Sequence, residues 1–221
     1  MNRILEQIKQ SCREIPSGLM DMIDARGDDV AGHCKRVAIM AHILAGEMGM
    51  SHGEVNAVAQ SALLHDVGKI VIPTVILFKQ GSLTAPERRV MQSHSQLGYD
   101  ILRAYPDLEK ASEAVYSHHE RLDGTGYPRG LRGGEICPEA RLLAVVDTYD
   151  AIRSNRVYAF GRSAEEAVEE IVLGRGKLFD PCIVDAFLRC QPRIESCIAW
   201  KKKEGTAECP TRPPSAKPGP A

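Results

Sequence analysis

The chain carries no excess of either charge. Lys plus Arg total 28 and Asp plus Glu 29, a net charge of −1 over 221 residues. Nothing in that balance draws it to nucleic acid or to an anionic membrane, so an anionic ligand must be held by local groups. A C-x-x-C pair is also missing. The seven cysteines (residues 12, 34, 137, 182, 190, 197 and 209) are odd in number and scattered, which argues against a disulfide framework or a cysteine zinc site and for reduced thiols in a cytosolic protein. Long apolar runs are absent too. The N-terminus, MNRILEQIKQSCREIP, is broken by charge every few residues, and no segment approaches the roughly 18 apolar residues of a membrane span. The expectation is a cytoplasmic chain, neither secreted nor inserted. Convincing strand signals and internal repeats are lacking as well.

What is present is helix, and the class is all-α. With 43% hydrophobic and 26% charged residues the chain can bury a sizeable core as one domain. From His33 the positions Val37, Met40, Ala41, Leu44 and Met48 follow helical spacing. Capping boxes at Ser51-x-x-Glu54, Thr84-x-x-Glu87 and Ser163-x-x-Glu166 open three more helices, the last running through Val172. Asp107 is expected to cap a helix ending at His118 and His119, Pro138 to begin one through RLLAVVDTYDAI, and Asp180-Pro181 to begin one through Leu188. KIVIPTVILFKQG, residues 69 to 81, is β-branched, but Pro73 and the lack of a partner strand make it a buried extended connection. From Lys201 on the sequence is basic and then Pro-rich, the composition of a disordered tail.

Five of the seven histidines, His33, His65, His94, His118 and His119, fall in these helices or at their ends, and Asp66 and Asp147 interrupt apolar stretches. An unpaired carboxylate facing a core costs several kcal/mol, whereas a bound cation supplies both charge and coordination. Imidazole with carboxylate suits Fe, Mn, Zn or Ni, and a carboxylate can bridge two ions. His42 and His52 stand outside this set and read as surface residues, and Cys34, about 100° around the helix from His33, is no partner for it.

HCKRVA (33 to 38), LLHDVGKIVIP (63 to 73), His94 in MQSHSQLGYDIL, HHERLDGTGYPRGL (118 to 131), RLLAVVDTYDAI (141 to 152) and GKLFDP (176 to 181) resemble the successive motifs of the HD-GYP family over roughly residues 25 to 190. A single HD dipeptide is weak evidence; the ordered series is specific. That family comprises bacterial all-α metalloenzymes of HD-domain fold, a helical bundle around a buried di-metal site, which hydrolyse the second messenger cyclic di-GMP. The resemblance implies that His33, His65, Asp66 and Asp147 hold one divalent transition metal, Fe, Mn or similar. It implies that His94, His118 and His119 hold a second, with Asp66 bridging and a metal-bridging hydroxide as nucleophile. Lys69 would neutralise charge on the phosphoryl oxygens, and Gly126, Tyr127 and Pro128 would shape the substrate loop, which in related proteins is implicated in contacts with diguanylate cyclases. It divides the chain into an N-terminal helical extension (1 to 24), a catalytic domain (25 to 195) and the tail (196 to 221).

Two departures from the family pattern matter. Arg156 keeps one basic position after Asp147, but the second is Ala159, so affinity or the selected nucleotide can differ. Asp29, four residues before His33, stands where a subset of the family has a Glu that ligates a third metal; its side chain is one methylene shorter, and Gly32 leaves open whether Asp29 ligates or caps the helix. The expected product is linear pGpG, with further cleavage to GMP left open. Two alternatives stay open: a non-catalytic module that binds a cyclic dinucleotide or a protein, and an HD phosphohydrolase acting on another cyclic dinucleotide or a mononucleotide. With only about 25 residues ahead of the domain, activity is expected to be constitutive or set by a separate regulatory protein.

Overall fold

The computed structural model describes residues 4, 18–19, 28–154 and 161–198. Most of the expected N-terminal extension, Arg156, Ala159 and the Pro-rich tail from residue 199 lie outside the described residues. Among those described, nine α-helices follow one another: α1 (Asp28–Glu47), α2 (His52–Leu64), α3 (Thr74–Leu77), α4 (Ala85–Gln92), α5 (His94–Leu102), α6 (Glu109–Ser117), α7 (Pro138–Arg153), α8 (Ala164–Leu173) and α9 (Pro181–Cys197). Short 3₁₀ turns cover Val67–Val71, Pro106–Leu108 and Gly133–Glu135.

The three capping boxes at Ser51, Thr84 and Ser163 all form, and the Asp180 side chain caps α9 by accepting from the Cys182 N–H. Helix α7 is buried nearly all round, from Leu142 through Val146, as expected of a helix at the centre of a bundle. Helices α1, α8 and α9 pack on it; α2 joins α1 to α6, and α5 lies against both α6 and the Val67–Val71 turn. Val37, Met40, Ala41 and Leu44 of α1 are fully buried, each larger side chain contributing about 1.5–3 kcal/mol. Met48, the last of that periodic series, falls beyond the helix end and is 37% exposed.

Three other expectations are corrected. Residues 69 to 81 are not a buried extended connection: they form a 3₁₀ turn and the single-turn α3, with only Ile72 fully inside while Val71, Val75 and Phe78 are exposed. Asp107 does not cap α6; it lies within a 3₁₀ turn, and Leu108 occupies the cap position without a side-chain bond. Helix α9 passes Leu188 and runs through Pro192 to Cys197. Its apolar face continues to the buried Ile194, and Glu195 accepts from Tyr149 Oη at 2.8 Å and Arg153 Nη2 at 2.7 Å on α7. Those contacts outweigh the lost backbone bond of an interior proline, about 3 kcal/mol. Residues 196 and 197 are therefore helical rather than tail. His52 is exposed as expected, whereas His42 is half-buried with its Nδ1 closed to solvent and unpartnered.

Candidate metal centre

Three histidines of the candidate set stand at the C-terminal ends of helices, and their position there has a local cause. The last four carbonyls of a helix have no intrahelical donor. His65 Nδ1 donates to Ala62 O at 2.7 Å, His118 Nδ1 to Val115 O at 2.6 Å, and His94, just past the end of α4, donates from Nδ1 to Met91 O at 2.7 Å. Each ring closes one orphan carbonyl of the helix it follows. A carbonyl can only accept, so Nδ1 carries the proton and Nε2 is left as a lone pair. His33, in mid-α1, is fixed in the same sense by Asp150, its Nδ1 lying 2.7 Å from Oδ2.

These lone pairs converge. His33 Nε2 lies 3.1 Å from His65 Nε2 and 3.1 Å from Asp147 Oδ1, and Asp66 Oδ2 is 3.7 Å and 3.6 Å from the two imidazoles. On the other side His94 Nε2 is 3.3 Å from His118 Nε2 and 3.5 Å from Asp66 Oδ1, with the His119 ring 4.0 Å, centre to centre, from that of His118. Two groups form, His33 with His65 and Asp66, and His94 with His118 and His119. Donor atoms sharing one ion at about 2.0–2.2 Å stand roughly 3 Å apart, and facing lone pairs at 3.1 and 3.3 Å repel unless a positive charge lies between them. The donor set therefore fits a divalent cation in each group.

The electrostatics agree with that demand. Asp66 and Asp147 are held well below the usual carboxylate range: burial alone would raise them, but Lys69 and the nearby imidazoles at Asp66, and His33 and His65 at Asp147, lower them. Burial would lower His33, yet Asp147 and Asp150 raise it to about 9, and against burial Asp66 likewise raises His65 to about 9. With no cation bound, a second proton therefore supplies the positive charge between these donors, and an ion must displace it to bind. In the second group burial and neighbouring histidines push His118 well below its ordinary value, and burial takes His119 down to about 3. Those rings are neutral, as ligands must be. Lys69 is half-buried and presents Nζ 2.6 Å from Asp66 Oδ2.

Glycine brings the two groups together. A Cβ on Gly68 would lie 2.0 Å from His94 O and 2.6 Å from Gly98 N, so only glycine lets the turn after His65-Asp66 reach the start of α5. Gly126 plays the same part in the loop after His119, where a Cβ would lie 2.4 Å from Arg121 N. That loop folds back so that Tyr127 packs on the His119 ring, 4.7 Å between centres, while Pro128 is exposed. Buried Glu120 holds it, accepting from Arg129 N at 2.7 Å and Leu131 N at 3.0 Å.

Sequence reasoning missed Asp150 and Arg36. Arg36 clamps Asp150 through Nε at 2.7 Å and Nη2 at 2.9 Å. The signal was present, since Asp150 follows Asp147, and Arg36 follows His33, by three residues on one helix face. Asp29 falls inside α1, but its side chain and Arg156 are outside the described residues.

A model of the HD domain family matches residues 18–183. The chain is 40% identical over 189 residues to the cyclic di-GMP phosphodiesterase of Thermotoga maritima, covering 85% of this chain and 51% of that protein. It is 33% identical over 187 residues to 3'3'-cGAMP-specific phosphodiesterase 2 of Vibrio cholerae, covering 84% and 36%. Among solved structures, an HDG"Y"P protein from Bdellovibrio bacteriovorus matches with a TM-score of 0.61 over 73% of this chain and 52% of that one; at 19% identity the likeness is one of fold. The chain spans about half or less of the length of these curated relatives.

Proposed function

Because this chain belongs to the HD domain family, and within it to the HD-GYP proteins, we propose that it is a metal-dependent phosphodiesterase that opens cyclic di-GMP to linear pGpG. One observation carries this reading: the Asp66 carboxylate turns Oδ2 toward His33 and His65 and Oδ1 toward His94, a disposition suited to two ions side by side. His33, His65, Asp66 and Asp147 would hold one, and His94, His118 and His119 with Asp66 the other. These nitrogen and oxygen donors suit Fe or Mn. When bound, such a pair supplies positive charge to phosphoryl oxygens and a nucleophile at neutral pH.

The protein's own groups do the rest. The Nδ1 bonds of the histidines fix the rings before substrate arrives. Lys69, anchored on Asp66, offers an ammonium to a phosphoryl oxygen. Tyr127 walls the second group and limits the entry of water, Gly126 permits that approach, and Pro128 completes the turn. Arg156 grips a phosphate or guanine, and Asp29 is a candidate ligand of a third ion, with two as the core complement. Residues 25 to 195 form the catalytic domain, the protein acts in the cytoplasm, and the exposed edge of the loop at Pro128 is where a diguanylate cyclase or regulatory protein would dock.

The relationship to a 3'3'-cGAMP-specific enzyme makes a different cyclic dinucleotide the competing substrate. Protein purified without oxygen is analysed for metal and incubated with cyclic di-GMP and 3'3'-cGAMP, and the products are separated. Metal-dependent conversion of cyclic di-GMP to pGpG, faster than that of 3'3'-cGAMP, is expected. A fully metallated protein that leaves both intact would point to a binding module.

A further inference from the structure

Arg121 follows the His118-His119-Glu120 run directly, and its guanidinium combines a buried, unpartnered N–H with the absence of an ion pair to any described residue. Arg36, Arg129, Arg153 and Arg175 each hold a carboxylate. Arg121 donates to no described residue and forms no ion pair with one, and its Nη1 is closed to solvent without a hydrogen-bond partner. One face rests over the Phe179 ring, 5.4 Å from its centre. The residue is half-buried, so the side chain keeps an open side. It stands at the base of the glycine loop: a Cβ on Gly126 would meet both Arg121 N at 2.4 Å and His119 O at 2.5 Å, and the next residue, Tyr127, packs on the His119 ring.

Its backbone is held firmly. The Arg121 carbonyl accepts from Gly124 N at 2.8 Å, its amide lies against Gly126, and Leu122 N is bonded to Leu178 O at 3.2 Å. Asp147 attracts this guanidinium without a hydrogen bond or ion pair between them, and an ion held by Asp147 would take up that charge and leave the unpartnered N–H in need of another anion. Lys69, anchored on Asp66 at 2.6 Å, offers one positive contact at the first group, and Arg121 would add a second at the glycine loop. A guanidinium packed on a ring with Nη1 unspent has the planar donor geometry that matches phosphate oxygens once a small side-chain turn opens it to the site.

We infer that Arg121 is a substrate-contacting residue that donates to a non-bridging oxygen of the phosphodiester held at the metal centre. The inference deepens the reading of that centre as a phosphodiesterase site and rests on it for the identity of the ligand. It gives the run HHER two functions: the imidazoles face the metals and the guanidinium faces the phosphate. The contact is to phosphate alone and is indifferent to the base, so it applies to any cyclic dinucleotide and to inorganic phosphate.

The test compares wild type with Arg121→Gln and Arg121→Lys, each loaded with metal. Metal per chain, thermal midpoint, and the affinity for inorganic phosphate by calorimetry are measured alongside kcat and KM. With metal and midpoint unchanged, Arg121→Gln should weaken phosphate binding about 10- to 100-fold, the worth of a hydrogen bond to a charged group, and Arg121→Lys should recover part of it. Wild-type phosphate affinity in Arg121→Gln would overturn the inference. So would loss of metal or of folding in both variants, which would make Arg121 a structural prop for Phe179. If wild type turned over no cyclic dinucleotide yet phosphate binding still depended on Arg121, the proposed activity would fall while this contact stood.

Discussion

Replacing Asp150 with Asn separates the support of the candidate metal centre from the ligands themselves. Asp150 is fully buried, and its carboxylate accepts from His33 Nδ1 at 2.7 Å, Arg36 Nε at 2.7 Å, Arg36 Nη2 at 2.9 Å and Ser154 Oγ at 3.0 Å. Asn keeps the shape and one acceptor but loses the charge, and its NH₂ meets donors. Breaking a buried ion pair costs about 3–5 kcal/mol. Arg36 is 25% exposed, so water offsets part of that, and about 2–3 kcal/mol remains. For a domain of this size that is a fall of roughly 4–12 °C in Tm. His33 also loses the partner that fixes its tautomer, for which about 10- to 100-fold in metal affinity is expected. Metal affinity is read by competition with a chelator, and Tm by thermal unfolding of the metal-free protein. Asp185→Asn is the control: its pair with Arg175, 2.6 Å apart, is at the surface, so stability should move by less than about 0.5 kcal/mol and metal not at all. Metal affinity within twofold of wild type in Asp150→Asn would refute the role given to Asp150, whatever happened to Tm.

Asp66→Ala should lose metal from both groups and all turnover while far-ultraviolet circular dichroism stays helical; retained metal and activity would mean the ligand map is wrong. Gly68→Ala forces a Cβ against His94 O and Gly98 N and should cost at least about 1–3 kcal/mol, with a lower Tm and loss of metal from the His94 group first; an unchanged Tm would contradict the close approach. Arg156→Ala should raise KM for cyclic di-GMP without altering metal content, and Ala159→Lys should lower it, so unchanged constants in both would move the nucleotide elsewhere. Asp29→Ala should leave the metal count at two, which elemental analysis reads directly; a wild-type count of three that falls to two would make Asp29 a ligand.

The helical class, the three capping boxes and the residues that gather at the centre were legible in the sequence because each has a local signature: a cap residue with its partner three positions on, or an ionisable side chain inside an apolar run. The convergence of His33, His65, Asp66, Asp147, His94, His118 and His119 needed the family resemblance, since spacing alone cannot bring α1, α5 and α7 to one point. Asp150 and Arg36 escaped notice because their partners are 114 residues apart. The β-branched run at 69 to 81 misled for a different reason. Its residues are placed by the demand that Gly68 meet α5, which turns the backbone at once and leaves Val71, Val75 and Phe78 outside. Pro192 lies in the middle of a helix because burial of Ile194 and the ties to Glu195 decide the outcome, and neither is visible from the proline itself.

Activity titrated against metal bears most directly on the centre. Metal-free protein is supplied anaerobically with increasing equivalents of Fe or Mn, and hydrolysis of cyclic di-GMP is followed at each step. Two groups sharing Asp66 predict little activity through the first equivalent, a rise with the second and a plateau at two per chain, with Asp66→Ala flat throughout. A plateau at one equivalent, or full activity without metal, would contradict a centre built on two ions.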